Sequence, residues 1–261
     1  MSARGTLRSE APRSSFEDRW VIVSGASSGI GRAISLELVG QGARVVLMGR
    51  DAGRLAETAR LAGPAERTRV CLLDLADAAA IAPTVRSLVA QTGRLYGLCH
   101  AAGTSLTLPL SATRPDRVHA VMNVNLLAGL ELARALVERS VLAEQGGSVL
   151  WISSVYAHVG APGQVAYCAS KGAIGAAVRA MALELAPRRV RVNAVSPGLV
   201  KTEMTTGSRM TAEQWARIES LHPLGAGQPE DVARAASFLL NPLNVWITGA
   251  DVVIDGGYSL Q

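Results

Sequence analysis

A chain of 261 residues in which 49% are hydrophobic and 18% charged holds ample apolar material for one large buried core. The formal net charge of +5 raises nucleic acid as a partner, but the arginines are scattered through the expected helices with no dense basic cluster and no interleaved aromatics, so no nucleic-acid partner is expected. No run of about 18 apolar residues occurs, so no membrane-spanning helix is expected either.

Residues 1–19, "MSARGTLRSEAPRSSFEDR", lack apolar periodicity and read as a flexible tail. A transit peptide rich in Arg and Ser is the alternative, against which Glu10, Glu17 and Asp18 count. From Trp20 the pattern alternates. "WVIVS" (20–24) is an apolar run closed by a glycine-rich turn, and "GRAISLELVGQG" (31–42) has helical spacing with a Gly stop. "ARVVLMG" (43–49) reads as a second strand and 51–62 as a polar helix. "RVCLLD" (69–74) is a third strand, and 77–92 a third helix whose start Pro83 leaves open. "RLYGLCHAA" (94–102) is a fourth strand, followed by a long helix over 115–143. Next come strand "SVLWIS" (148–153), helix 165–186 and strand "VRVNAVS" (190–196). An irregular stretch, 196–228, precedes helix 229–240 and a closing strand "GADVVID" (249–255).

Strands apolar throughout, separated by helices, indicate a parallel sheet covered on both faces. Right-handed crossovers then give an α/β fold: a single Rossmann-type domain over 20–261, a doubly wound parallel sheet of about seven strands. Neither a linker-like change of composition nor an internal repeat divides it. Cys71, Cys99 and Cys168 have no pairing or metal spacing, and His100, His119, His158 and His222 are equally dispersed, so no metal site is expected. The odd cysteine count and the lack of a secretory signal favour a reducing cytoplasm.

"SGASSGIG" (Ser24–Gly31) lies between the first strand and first helix. Gly25, Gly29 and Gly31 can take positive φ and let the backbone approach a diphosphate. The helix start would offer that anion unsatisfied N–H groups and a positive dipole end. The spacing G-x-x-x-G-x-G differs from the general dinucleotide fingerprint, and a tight strand–helix turn is the plain alternative. The second strand ends in Gly49-Arg50, where an acid would bind the ribose of NAD. Arg50 can meet a 2′-phosphate, so NADP(H) is favoured over NAD(H), although Asp51 could reach the ribose. Asp74 could accept the adenine amino group or cap the following helix.

Tyr167 and Lys171 stand four apart on one helix face, and Ser154 emerges at the carboxyl end of its strand, where ligands of such sheets bind. A phenol of ordinary pKa about 10 is expected to be lowered by the ammonium and to exchange a proton with a carbonyl oxygen or alcohol. Each residue also has a plainer reading: a capping serine, a core tyrosine, a surface lysine.

In this order the motifs resemble the short-chain dehydrogenase/reductase family over residues 20–258. "SGASSGIG" matches its cofactor turn, "DL" (Asp74, Leu75) its adenine contact and "YCASK" its Tyr-x-x-x-Lys signature. "HAAG" (100–103) matches its Asn-Ala-Ala-Gly motif with His100 in place of the first Asn. "VNL" supplies Asn125, with Asn123 as a rival, "SPGLVKT" the Pro-Gly segment and "WITGADVVIDGG" the ending.

The resemblance implies that Tyr167 is the acid/base and that Lys171 binds the nicotinamide ribose while lowering the tyrosine pKa. It also implies that Ser154 positions the substrate carbonyl and that Asn125 holds a water linking the lysine to solvent. On the cofactor side Ser27, Ser28 and Ile30 would line the turn, and Ala102 and Gly103 would pack beside the adenosine ribose. Pro197, Gly198, Val200 and Thr202 would cover the nicotinamide. Residues 202–224, with Met204, Met210, Trp215, Ile218 and Leu221, would form an apolar substrate lid. "VKTEM", "HPLG" and "QPEDVA" lie nearest the bacterial 3-oxoacyl-[acyl-carrier-protein] reductases, and a positive surface would suit an acidic carrier protein. The expected function is NADPH-dependent reduction of a ketone by a homotetramer. NAD-linked oxidation of a sugar, polyol, steroid or other secondary alcohol, and a non-catalytic nucleotide-sensing scaffold, are the alternatives.

Overall fold

The apolar runs pair side by side as β1 (Trp20–Ser24), β2 (Arg44–Gly49), β3 (Thr68–Leu72), β4 (Gly97–His100), β5 (Gly147–Ile152), β6 (Val190–Pro197) and β7 (Asp251–Ile254). In this computed structural model, which describes residues 16–206 and 211–260, all neighbours are parallel, in the order β3-β2-β1-β4-β5-β6-β7. The chain winds outward from β1 to β3, then crosses back to the other side of β1. That reversal opens a crevice at the carboxyl ends of β1 and β4.

Side chains alternate across the sheet. Ile22 joins Val46, Met48, Leu98 and Trp151 in a core beneath the helices of one face. Val21 and Val23 join Val45, Leu47 and Cys99 beneath those of the other. Over the central strands both faces are dry, which is why those strands read as unbroken apolar runs. The segment expected as a tail mostly lies outside the described residues, but Phe16 is fully buried in the second core.

The helices alternate with the strands: α1 (Gly29–Gly40), α2 (Ala52–Ala62), α3 (Ala78–Thr92), α4 (Pro115–Met122), α5 (Ala128–Leu136), α6 (Val165–Leu185), α7 (Glu203–Thr206), α8 (Ala212–Ser220) and α9 (Pro229–Leu240). Side-chain caps fix several starts. Asp51 accepts the Arg54 N–H at 3.0 Å, and Asp77 accepts the Ala80 N–H at 3.3 Å. The second cap starts α3 ahead of Pro83, which is carried inside the helix.

Two expectations need correction. The long helix over 115–143 is broken by a π-turn at Asn123–Leu127 and ends at Leu136. Residues 137–143 instead fold back on the lead-in to β4: Leu95 N–H donates to Val141 O and Ala143 N–H to Leu95 O. The stretch 196–228, expected to be irregular, contains α7 and α8. A reciprocal Thr211–Gln214 capping box starts α8.

Candidate active site

The turn after β1 is tight because its glycines leave no room for side chains. Gly25 has φ +70°, and a Cβ there would sit 2.8 Å from the Ala102 backbone; one on Gly31 would sit 2.2 Å from Gly25 O. Ala102 N–H donates to Ser24 Oγ at 3.3 Å, so the ends of β1 and β4 are laced together. Ser28 occupies the N-cap of α1 without a side-chain cap bond, and the first turn carries no acid. The leading N–H groups of a twelve-residue helix therefore face the crevice free of side-chain acceptors, as an anion cradle requires. Arg32 donates to Ser27 O at 2.6 Å, Ile30 packs on the second core, and the Thr202 side chain comes within 3.3 Å of where a Gly29 Cβ would be. The backbone-lined cleft fits a dinucleotide diphosphate.

At the adenosine side Arg50 is exposed and a Gly49 Cβ would meet only Leu55. Asp51 is committed to capping α2 and lies 3.7 Å from Arg54. Asp74 does not cap α3, a role taken by Asp77. It turns back on itself, accepting the Ala76 N–H at 2.9 Å, while Leu75 is buried beside it.

Three elements, the end of β5, α6 and the π-turn, bring the expected catalytic set together. Ser154, at the end of β5, accepts the Tyr156 N–H at 3.2 Å and hydrogen-bonds the Tyr167 phenol. Lys171, one turn further along α6, is buried, donates to Ile152 O at 2.8 Å, and lies 5.6 Å from the Tyr167 ring centre. A Cβ on Gly103 would be 3.7 Å from Lys171 Nζ and 3.4 Å from Asn125 Oδ1, so the lysine borders the same crevice as the glycine turn. Asn125 sits in the π-turn, fully buried. Its Oδ1 accepts the Thr104 N–H at 2.8 Å, and its Nδ2 donates to Thr104 O and Ser170 Oγ. Asn123 instead donates to Ala76 O, on the exposed side. Thr104 and Ser170 were not singled out by sequence; the i+3 spacing of Ser170 from Tyr167 was the available signal.

The electrostatics correct one expectation. The phenol is not lowered: burial pushes Tyr167 up to about 12, the Ser154 hydrogen bond only partly opposing this. The ammonium lies over the ring and points its proton at a carbonyl, while burial pulls Lys171 itself down to about 8. Desolvation disfavours both charged forms and is the largest cause of both shifts.

His100, the departure from the Asn motif, is buried with both ring nitrogens engaged. Nε2 lies 3.1 Å from Val124 O and Nδ1 2.8 Å from Ser24 Oγ. A carbonyl only accepts, so Nε2 carries the proton and Nδ1 accepts from the serine. The ring meets Trp151 edge-on at 5.1 Å, and burial lowers its pKa to about 4. This imidazole ties β4 to β1 and to the π-turn. The covering segment follows β6. Val200 is buried and bridges to Gly227, Gly198 is wedged against Asp255, and Thr202 O accepts the Thr205 and Thr206 N–H groups. Met204, Trp215, Ile218 and Leu221 lie in or beside the short helices after it; Met210 falls outside the described residues.

Residues 25–259 match the sequence profile of the family described as Enoyl-(Acyl carrier protein) reductase. The chain is similar to carbonyl reductase family member 4 of Xenopus tropicalis, 33% identical over 92% of this chain and 97% of the relative. It is also similar to a 3-oxoacyl-[acyl-carrier-protein] reductase of Thermotoga maritima, 33% identical over 93% and 98%. A galactitol 2-dehydrogenase of Cereibacter sphaeroides is 34% identical over 91% and 94%. Among solved structures, a short-chain dehydrogenase/reductase from Brucella melitensis superposes with a TM-score of 0.87 at 30% identity, covering 94% of this chain and 98% of that one.

Proposed function

The chain belongs to the short-chain dehydrogenase/reductase family, NAD(P)-dependent oxidoreductases, and from that premise we propose that it reduces a ketone to a secondary alcohol with NADPH, Tyr167 supplying the proton. The observation that carries the reading is the set of buried Ser154, part-buried Tyr167 and buried Lys171 bordering the glycine-turn crevice. Reduced nicotinamide, when bound, supplies the hydride to the carbonyl carbon. Ser154 Oγ orients the carbonyl oxygen, and the Tyr167 phenol, held protonated by its burial, gives that oxygen its proton. The Ser154 hydrogen bond and the cation of Lys171 then stabilise the phenolate. Lys171 would also hold the nicotinamide ribose, and Pro197, Gly198, Val200 and Thr202 would cover the ring. Asn125, its side chain held by Thr104 and Ser170, stands beside Lys171 as the residue of the water relay.

Preference for NADP(H) is supported by exposed Arg50 beside sterically open Gly49 and by the engagement of Asp51 as a helix cap. A 3-oxoacyl thioester on an acidic carrier protein is the substrate class we favour, in keeping with the relatives of that activity and the net charge of +5. The polyol dehydrogenases among the relatives support oxidation of a sugar alcohol as a second reading. Exposed Phe238 on α9 and Val252 and Val253 on β7 offer an apolar face for self-association as a homotetramer. We place the enzyme in the cytoplasm, in keeping with three free cysteines.

Purified protein, NADPH or NADH, and a panel of ketones including a short 3-oxoacyl thioester, followed by loss of reduced-nicotinamide absorbance, test the reading. Faster turnover with NADPH is expected, and Arg50→Ala should abolish that preference. Faster turnover with NADH would refute the cofactor assignment, and turnover with no ketone would refute the reductase.

A further inference from the structure

His222 opens the "HPLG" stretch but is given no role above, yet its ring joins three segments. It follows α8 and is 5% exposed. Nδ1 lies 2.8 Å from Ile218 O in α8, and the Leu199 N–H donates to Nε2 at 3.0 Å. A carbonyl cannot donate and a backbone N–H cannot accept, so the ring is neutral with its proton on Nδ1. The ring stacks on Tyr258 near the C-terminus, with centroids 4.6 Å apart and planes at 18°. Nothing larger than glycine fits against it at position 198, where a Cβ would come within 2.9 Å of Nε2. A second tie joins the same two segments: Lys201 Nζ lies 3.2 Å from Glu219 Oε1, and Trp215 Nε1 donates to Glu219 Oε2 at 3.1 Å. The segment around Leu199 and Lys201 is thus fastened to α8 by a buried neutral joint and an outer ion pair.

We infer that His222 is a positioning residue for the cofactor, fixing the covering segment 197–202 to α8 so that strap and lid helix engage the bound nucleotide as one body. The inference rests on the reading that the crevice takes NADP(H). Removing the ring's acceptor orphans the Leu199 N–H, which leaves the strap free to lift. Part-buried Glu219 and exposed Lys201 cannot replace that bond, being held to each other.

Two substitutions separate positioning from bulk. His222→Leu retains an apolar side chain against Tyr258 but neither bonds Leu199 nor Ile218. His222→Gln keeps an acceptor as many bonds from Cα as Nε2. The Leu variant should raise Kd and KM for NADPH about tenfold, the effect of one lost buried bond, with kcat at saturating NADPH nearly unchanged. The Gln variant should recover most of the affinity. Unchanged NADPH affinity in the Leu variant, or a Gln variant as impaired as Leu, would overturn the inference. Should the Leu variant fail to fold, hydrogen exchange on the unsubstituted chain decides. NADPH should protect segments 197–202 and 212–222 together with the glycine turn 24–31. Protection at 24–31 with 212–222 unaffected overturns the joint alone, whereas no protection at 24–31 brings down the cofactor reading and the joint with it.

Discussion

Replacing His100 with Asn should flatten the acid limb of this protein's stability. In the fold the imidazole is buried against Trp151, is bonded on both nitrogens in its neutral form, and gains a proton only near pH 4, chiefly because burial disfavours the cation and secondarily because Lys171 repels it. In the unfolded chain the same ring titrates at its ordinary value of 6.5. Between those values the unfolded state binds more protons, so stability is full above 6.5, falls as the pH drops through the window, and loses nothing further from this group below about 4. The difference corresponds to about 3 kcal/mol. Urea midpoints for the unsubstituted chain and His100→Asn, taken from neutral pH to about 4, measure it. Above 6.5 the Asn variant should be the weaker, because ring packing is lost. With acid the gap should close, since carboxylates titrate in both proteins and cancel in the comparison. Parallel curves would refute the reasoning, for they would mean that His100 is not held neutral.

Two further expectations follow from packing and charge. A Cβ on Gly129 would lie 2.3 Å from Trp151 Cη2 and 2.7 Å from His100 Cδ2, two rings with no space to yield. Gly129→Ala should therefore destabilise the fold by about 2 kcal/mol, overpacking outweighing the gain in helix propensity. Trp151→Leu in the same chain should return part of the loss, and an unchanged thermal midpoint in the single variant would count against the packing. Ketone reduction should fall as pH rises through about 8, where buried Lys171 loses its charge, while Tyr167 keeps its proton to about 12. A kcat/KM profile that stays level well past pH 8 would contradict this.

The sheet was legible because both faces of its central strands are dry, so "WVIVS" and "SVLWIS" carry no polar interruption to blur them. The grouping of Ser154, Tyr167 and Lys171 proposed as catalytic was legible because an i, i+4 pair on a helix and a serine at a strand end are local patterns. The π-turn was not, since Asn123–Leu127 has the spacing of an ordinary helix and its distinction lies in where the buried Asn125 amide finds partners. Residues 137–143 keep a helical rhythm too, and pairing with Leu95, distant in sequence, overrides it. Helix α8 is nine residues long and buries none of them, with Trp215 and Ile218 its one pair of large apolar residues, though the Thr211–Gln214 box marked its start. The charge state of the phenol depends on desolvation by the folded chain, and four-residue spacing from a lysine carries no information about that.

The proton donor itself is best tested by Tyr167→Phe, with NADPH binding followed by nucleotide fluorescence and turnover followed by absorbance on one preparation. Binding should stay within about threefold, because a lost neutral hydrogen bond is worth about 1 kcal/mol or less here, while turnover should drop by about a thousandfold, the usual size of a general-acid contribution. A phenylalanine variant that still reduces ketone at a rate close to that of the unsubstituted chain would contradict the assignment of Tyr167.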